Sequence, residues 1–159
     1  MDNGQIYLVD TCVLVNIRDI HNDSADIWDC VRASIQAGKT KTVRQVFREL
    51  QTRFPMIHKR LKDLKPQFVI PDAITYDSDV TDEISAIITA HPRLYDRFGS
   101  GNPADPFLIA VAKCLPGIVV TDEKRTGPKH KTKIPFVCTS RNVGNMTGID
   151  FLRKIGANV

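Results

Sequence analysis

No apolar run in this sequence approaches the roughly 20 residues that a membrane-crossing helix needs. The opening stretch, MDNGQIYLVD, places acids at Asp2 and Asp10 around a short apolar segment and lacks the basic-then-apolar order of a secretory leader. A cytoplasmic protein without a membrane partner is therefore expected. Cysteines are few and scattered: Cys12, Cys30, Cys114 and Cys138 form no C-x-x-C pair, which argues against both a zinc site and a disulfide scaffold and leaves reduced thiols as the reading. No Gly-x-Gly-x-x-Gly follows the first apolar run, so a dinucleotide-binding fold is disfavoured. Internal repeats and low-complexity tracts are absent. With 159 residues, 42% of them hydrophobic, there is material for one continuous core and no room for a second, so residues 1–159 are expected to form a single domain.

What is present is an uneven charge. The net charge of +4 is mild, but between Lys39 and Lys65 the basic residues Lys39, Lys41, Arg44, Arg48, Arg53, Lys59, Arg60, Lys62 and Lys65 face only Glu49 and Asp63. A second basic run, Lys124, Arg125, Lys129, Lys131 and Lys133 with His130 among them, follows the apolar stretch 117–121. Such patches fit a polyanionic partner, although solvated helix faces account for most charge runs.

The hydrophobic pattern alternates between short buried strands and helices. Ile6 to Val9 reads as a strand ending at Asp10. Past the capping segment His21–Ser24, Ile27, Trp28, Val31, Ser34 and Ile35 mark a helix that Gly38 stops. Thr42 and Val43 are expected to form a very short strand before a helix carrying Val46, Phe47 and Leu50 inward, closed by Pro55. A basic helix over 56–64, a strand at Phe68–Ile70, and a helix marked by Val80, Ile84, Ile87 and Ile88 that Pro92 ends are expected next. Beyond a loop from Tyr95 to Pro103, Ala104-Asp105-Pro106 opens a helix that is apolar nearly all round and so belongs at the centre of the fold. Gly117 to Thr121 and Ile134 to Cys138 read as further buried strands, and Met146 to Ile155 as a last helix. Strands without polar alternation, separated by helices, predict a three-layer α/β/α domain around a mostly parallel sheet of four to five strands.

In open parallel sheets ligands bind beyond the carboxyl ends of the strands. Acids occupy those places: Asp10 after the first strand, Asp122 and Glu123 after Ile118-Val119-Val120, Asp105 at the start of the central helix, with Glu49 beside the Val46–Phe47 anchor. Taken singly, Asp10 and Asp105 are as well explained as helix caps, Glu49 as an exposed helix glutamate, and Asp122 or Glu123 as a turn acid. Together they would repel unless protonated or bridged by a hard divalent cation such as Mg²⁺ or Mn²⁺. An oxygen-ligated ion of that kind suits phosphodiester hydrolysis, with Lys124, Arg125, Lys129 and Lys131 gripping phosphates without reading bases.

The segments Tyr7-Leu8-Val9-Asp10-Thr11-Cys12-Val13-Leu14, Val46-Phe47-Arg48-Glu49-Leu50, Ala104-Asp105-Pro106-Phe107-Leu108-Ile109-Ala110 and Val119-Val120-Thr121-Asp122-Glu123 resemble, in order and spacing, the four acidic motifs of the PIN-domain nucleases. The resemblance spans nearly the whole chain. It implies a PIN-like fold and an Mg²⁺- or Mn²⁺-dependent endoribonuclease, similar to the VapC toxins of toxin–antitoxin pairs, with an RNA substrate, a protein antitoxin and a homodimeric state. It assigns metal binding to Asp10, Glu49, Asp105 and Glu123, with Asp122 as the second choice for the fourth acid, and a supporting hydroxyl to Thr11. Where the family usually has Asn, this chain has Cys12, which removes two donors and an acceptor near the site. Two other readings compete. A small-molecule phosphohydrolase working through an aspartyl-phosphate on Asp10 would pair it with an acid two residues on, where Cys12 stands. A non-catalytic PIN-like module binding RNA or protein would show a lost acid, and none is lost.

Overall fold

The computed structural model describes residues 4–94 and 104–159; the loop expected from Tyr95 to Pro103 lies outside them. Four strands, β1 (Ile6–Val9), β2 (Thr40–Lys41), β3 (Gly117–Val120) and β4 (Gly144–Met146), form one sheet in the order β2-β1-β3-β4 with every pairing parallel. Ten α-helices among the described residues surround it: α1 (Thr11–Asp19), α2 (Ala25–Gln36), α3 (Arg44–Arg53), α4 (Pro55–Leu61), α5 (Lys65–Phe68), α6 (Asp72–Thr75), α7 (Ser78–Ala90), α8 (Ala104–Cys114), α9 (Ile134–Ser140) and α10 (Gly148–Lys154). The expected three-layer α/β/α architecture is what the chain adopts.

Side-chain alternation along β1 creates the two outer layers. Tyr7 and Val9 join a core with α1, α2, α4 and α10, where Trp28, Ile35, Leu61 and Phe151 are buried. Leu8 points the other way, into a core built with α7, α8 and α9 from Ile84, Ile87, Leu108, Ile109 and Val137. Helix α3 contributes Phe47 and Leu50 to the first core and Val46 to the second, so it spans both layers beside the edge strand β2. The apolar α8 is covered nearly all round, as a central helix must be.

Local signals account for most boundaries. Ser24 accepts from the Ile27 amide to cap α2, and Gly38 at φ +76° supplies the left-handed turn that ends it. Pro55 opens α4, where its missing amide is not needed.

Four expectations need correction. The short strand lies at Thr40–Lys41, two residues before the expected place. Phe68–Ile70 makes no strand: Phe68 ends the single turn α5, and only one bridge, Thr42 to Val69, remains of the expected pairing. Residues 134–138 are helical. Pro135 sits in the first turn of α9, where a proline is tolerated, whereas in a central strand it would delete a ladder hydrogen bond. The strand beside β3 is Gly144–Met146 instead, which moves the start of the last helix to Gly148, capped by Thr147.

Candidate metal centre

In the order β2-β1-β3-β4 the chain leaves β1 toward one edge and β3 toward the other, so the crevice beyond the carboxyl ends of β1 and β3 is the switch point at which open α/β sheets bind ligands. The two strands are in register through Val9 and Val120, and the Asp10 amide donates to the Val120 carbonyl at 3.0 Å. Residues 10 and 121–123 are thereby fixed side by side.

Asp10 is 4% exposed. It stands at the N-cap of α1, yet its carboxylate is not used up there: Oδ1 accepts from the Thr11 amide at 2.8 Å, while Oδ2 takes hydrogen bonds from the Thr121 hydroxyl and the Cys12 thiol, both at 3.1 Å. Thr11 turns its own hydroxyl to Glu49 Oε2 at 2.9 Å, which links the start of α1 to the middle of α3. Glu49 is not the exposed helix glutamate of the bland reading, since its side chain is 16% exposed, and Arg53, one turn on, meets Oε1 at 3.0 Å.

Asp105 lies in the first turn of α8, 4% exposed, and its Oδ1 is buried with no hydrogen-bond partner among the described residues. Burial, then the negative charges of Asp10, Glu123 and Glu49, push its carboxyl well above the usual range, against a partial offset from Lys133. Asp10 is raised in the same way, by burial first and by Glu49 last, with its three hydrogen bonds opposing. Glu123 is also raised, by burial and then by Asp10, although it accepts the Ile134 amide at 2.8 Å and has Lys133 nearby. These mutual effects define one electrostatic cluster of Asp10, Glu49, Asp105 and Glu123.

Asp122 stands apart. Its carboxylate accepts from the Gly148 amide and the Asn16 side chain, each at 2.7 Å, and so ties the start of α10 to α1. An added Cβ at Gly148 would lie 2.8 Å from Asp122, so glycine is what permits the contact. Of the two acids after β3, Glu123 faces the cluster and Asp122 serves the fold.

Sequence reasoning missed Thr121 and gave Cys12 and Lys133 other parts. Thr121, fully buried, holds both Asp10 and the Glu123 amide through one hydroxyl. Its place at the end of a strand was the available signal. Cys12, in the position of the usual Asn, donates a hydrogen bond to Asp10 and accepts one from the Asp122 amide at 3.3 Å; burial and the Asp10 charge push its thiol far up, so it stays a donor. Lys133 was seen only as one of a basic run, yet it is the cation felt by Asp105 and Glu123. Lys124, Arg125, Lys129 and Lys131 are all exposed on the connection after β3, with Arg125 hydrogen-bonded to Asn145.

Among the described residues no three His, Cys, Asp or Glu side chains converge closely enough to hold an ion by themselves. Mg²⁺ is commonly held by one or two carboxylates and completes its shell with water and phosphate, so a looser set suits it. The Asp105 oxygen, orphaned among the described residues, and the raised carboxyls of Asp10, Asp105 and Glu123 fit a divalent cation: each feature is a cost that a positive charge would remove.

No helix among the described residues is long and apolar enough to cross a membrane. No curated protein matches the sequence. A family model matches residues 7–159, which include every acid of the cluster, and this chain belongs to the family described as a domain of unknown function, DUF4411.

Proposed function

We propose that this protein is a divalent-metal-dependent nuclease that hydrolyses RNA phosphodiester bonds. The observation that carries the reading is the buried oxygen of Asp105, without a partner among the described residues, within a cluster of four acids at the sheet's switch point. Asp10, Asp105, Glu123 and Glu49 would hold Mg²⁺ or Mn²⁺. The chemistry supplied by such an ion is acidification of a water and stabilisation of charge on the departing oxygen.

The chain's own groups prepare that site. Thr121, Cys12 and the Thr11 amide fix both oxygens of Asp10, and the Thr11 hydroxyl fixes Glu49, so two acids on different elements move as one unit. Lys133 moderates the repulsion between Asp105 and Glu123 without neutralising it. Lys124, Arg125, Lys129 and Lys131 offer charge to a phosphate backbone, a contact that positions without specifying sequence. The finer reading, a cytoplasmic, dimeric toxin restrained by a protein antitoxin, is supported by the resemblance of the four motifs to PIN toxins.

Cleavage of a mixed structured RNA with Mg²⁺, Mn²⁺ or EDTA, beside an Asp105→Asn variant, tests the activity. Metal-dependent cutting that the variant lacks is expected. Calorimetric titration with Mn²⁺ accompanies it, and absence of binding in the parent protein would overturn the reading. For the pairing, cleavage is measured while the product of a neighbouring gene is titrated in; unchanged activity counts against an antitoxin.

A further inference from the structure

A second cationic feature lies on the opposite flank of the acids. Arg44, Phe47, Arg48 and Gln51 occupy one face of α3 at helical spacing, and with Lys65 and Asp72 across from them they line a cavity of about 560 Å³. That volume is in the range of a nucleotide-sized ligand. Arg48 and Lys65 are exposed and enter no ion pair among the described residues, and Lys65 Nζ lies 5.8 Å over the Phe47 ring. Arg44 is committed on one side only: its Nη atoms reach Asp72 at 2.9 Å and the Tyr76 hydroxyl at 2.8 Å, while its Nε is buried with no partner among the described residues. Tyr76 beside it is 48% exposed, an amphipathic ring held from behind by Arg44 and, edge-on, by Phe107 at 6.4 Å.

The cavity is framed by elements that also carry the acids. Its inner wall, Val69–Ile70, is the segment bridged to Thr42, which continues β2 and donates its hydroxyl to the Val9 carbonyl at 2.8 Å, one residue before Asp10. Arg48 precedes Glu49 on α3, and Phe107, which supports Tyr76, is two residues past Asp105 on α8. The β2 side of the sheet edge thus carries Arg44, Arg48 and Lys65, the connection after β3 carries Lys124 to Lys133, and the acids lie between.

We propose that the α3 groove is a subsite for single-stranded RNA, with Arg48 and Lys65 holding phosphate and Tyr76, beside the groove against Arg44, stacking a base. The inference rests on the nuclease reading for its orientation toward the acids. Single strands are favoured because only an unpaired base offers a face to an exposed tyrosine, whereas a duplex presents phosphates and hydroxyls.

The test is fluorescence anisotropy with a labelled ten-nucleotide oligouridylate in EDTA, where nothing is cut. The Arg48→Glu/Lys65→Glu double variant is compared with the parent chain and with a Lys59→Glu/Lys62→Glu control of equal charge change, each checked for a native melting transition. Binding at least tenfold weaker than both is expected. The salt dependence should fall by about 1.4 in slope, from roughly 0.7 for each lost single-strand phosphate contact. Tyr76→Ala should weaken binding about tenfold and Tyr76→Phe leave it unchanged, the mark of stacking. A double variant that binds like the parent or like the control, or a parent chain that does not bind the oligomer, overturns the subsite. Mn²⁺ calorimetry on the same samples separates the two ideas: normal Mn²⁺ binding with a failed groove leaves the metal centre standing, and intact groove binding without Mn²⁺ binding removes the nuclease reading instead.

Discussion

Asp105 is a residue whose ionised form the metal-free fold opposes. A carboxyl raised on folding binds its proton more tightly in the folded chain, so its contribution to stability is greatest below the ordinary carboxylate range and is lost as pH rises through the raised value. Asp105→Asn should therefore raise the melting temperature of the metal-free protein at pH 7 by a few degrees, since about 1 kcal/mol corresponds to roughly 2–4 °C at this size, and the gain should vanish near pH 4. A thermal melt series across pH checks this, and a variant less stable than its parent at pH 7 would contradict it. The neighbouring acids give a second contrast. Asp122→Ala should cost about 1 kcal/mol, as loss of a helix-start acceptor does, and leave Mn²⁺ binding intact. Glu123→Gln should do the reverse in the same titration. The resemblance preferred Glu123 with Asp122 second, but the residues alone left the two open, because adjacent residues after a strand differ in direction only once the path of the following turn is known. Asp10, Glu49 and Asp105 were legible because each sits at a fixed offset from a strand or an apolar helix face.

At the scale of elements, helices were readable wherever an amphipathic stripe had a cap, as in α2 and α7. Helix α1 was implied only by Asp10 read as a cap, although Val13, Leu14 and Ile17 recur behind it at helical spacing and are buried. The misreading of 134–138 arose from treating a short apolar run as a strand when length and periodicity do not separate the two; Pro135 was the deciding residue. The outcome matters for packing, since α9 carries Arg141 at its end to Glu83 on α7, with bonds of 2.8 and 3.0 Å, and Lys113 of α8 lies 3.6 Å from the same carboxylate. This carboxyl is lowered by Arg141, so its stabilisation is present above the ordinary glutamate range and lost as pH falls through the folded value. Glu83→Gln should cost about 1–3 kcal/mol at pH 7, the range for a hydrogen bond to a charged group, and much less at pH 3. Denaturant melts at both values measure it; equal losses at both would mean that packing, not charge, is what Glu83 supplies.

For the whole molecule, the two opposite pH responses meet in one expectation. Without metal, stability should decline toward alkaline pH as the acid cluster ionises and toward acid pH as Glu83 protonates. Saturating Mn²⁺ should flatten the alkaline limb alone, adding about 2.7 kcal/mol at a hundredfold excess over its dissociation constant. The layered architecture was legible because buried parallel strands read as continuous apolar runs; strand order was not, since β2 and β4 have only two and three residues and carry almost no pattern.

The hydrogen bond from Thr121 to Asp10 joins residues 111 positions apart. A chain emerging from the ribosome would expose Asp10 early and complete the cluster only after residue 123 has followed, with β4, α9 and α10 still to come. Parallel pairings this distant in sequence form late, because loop-closure entropy precedes any reward. The acids are consequently strangers to one another until β3 and the turn after it have been made, and whatever the cluster does must wait for that closure.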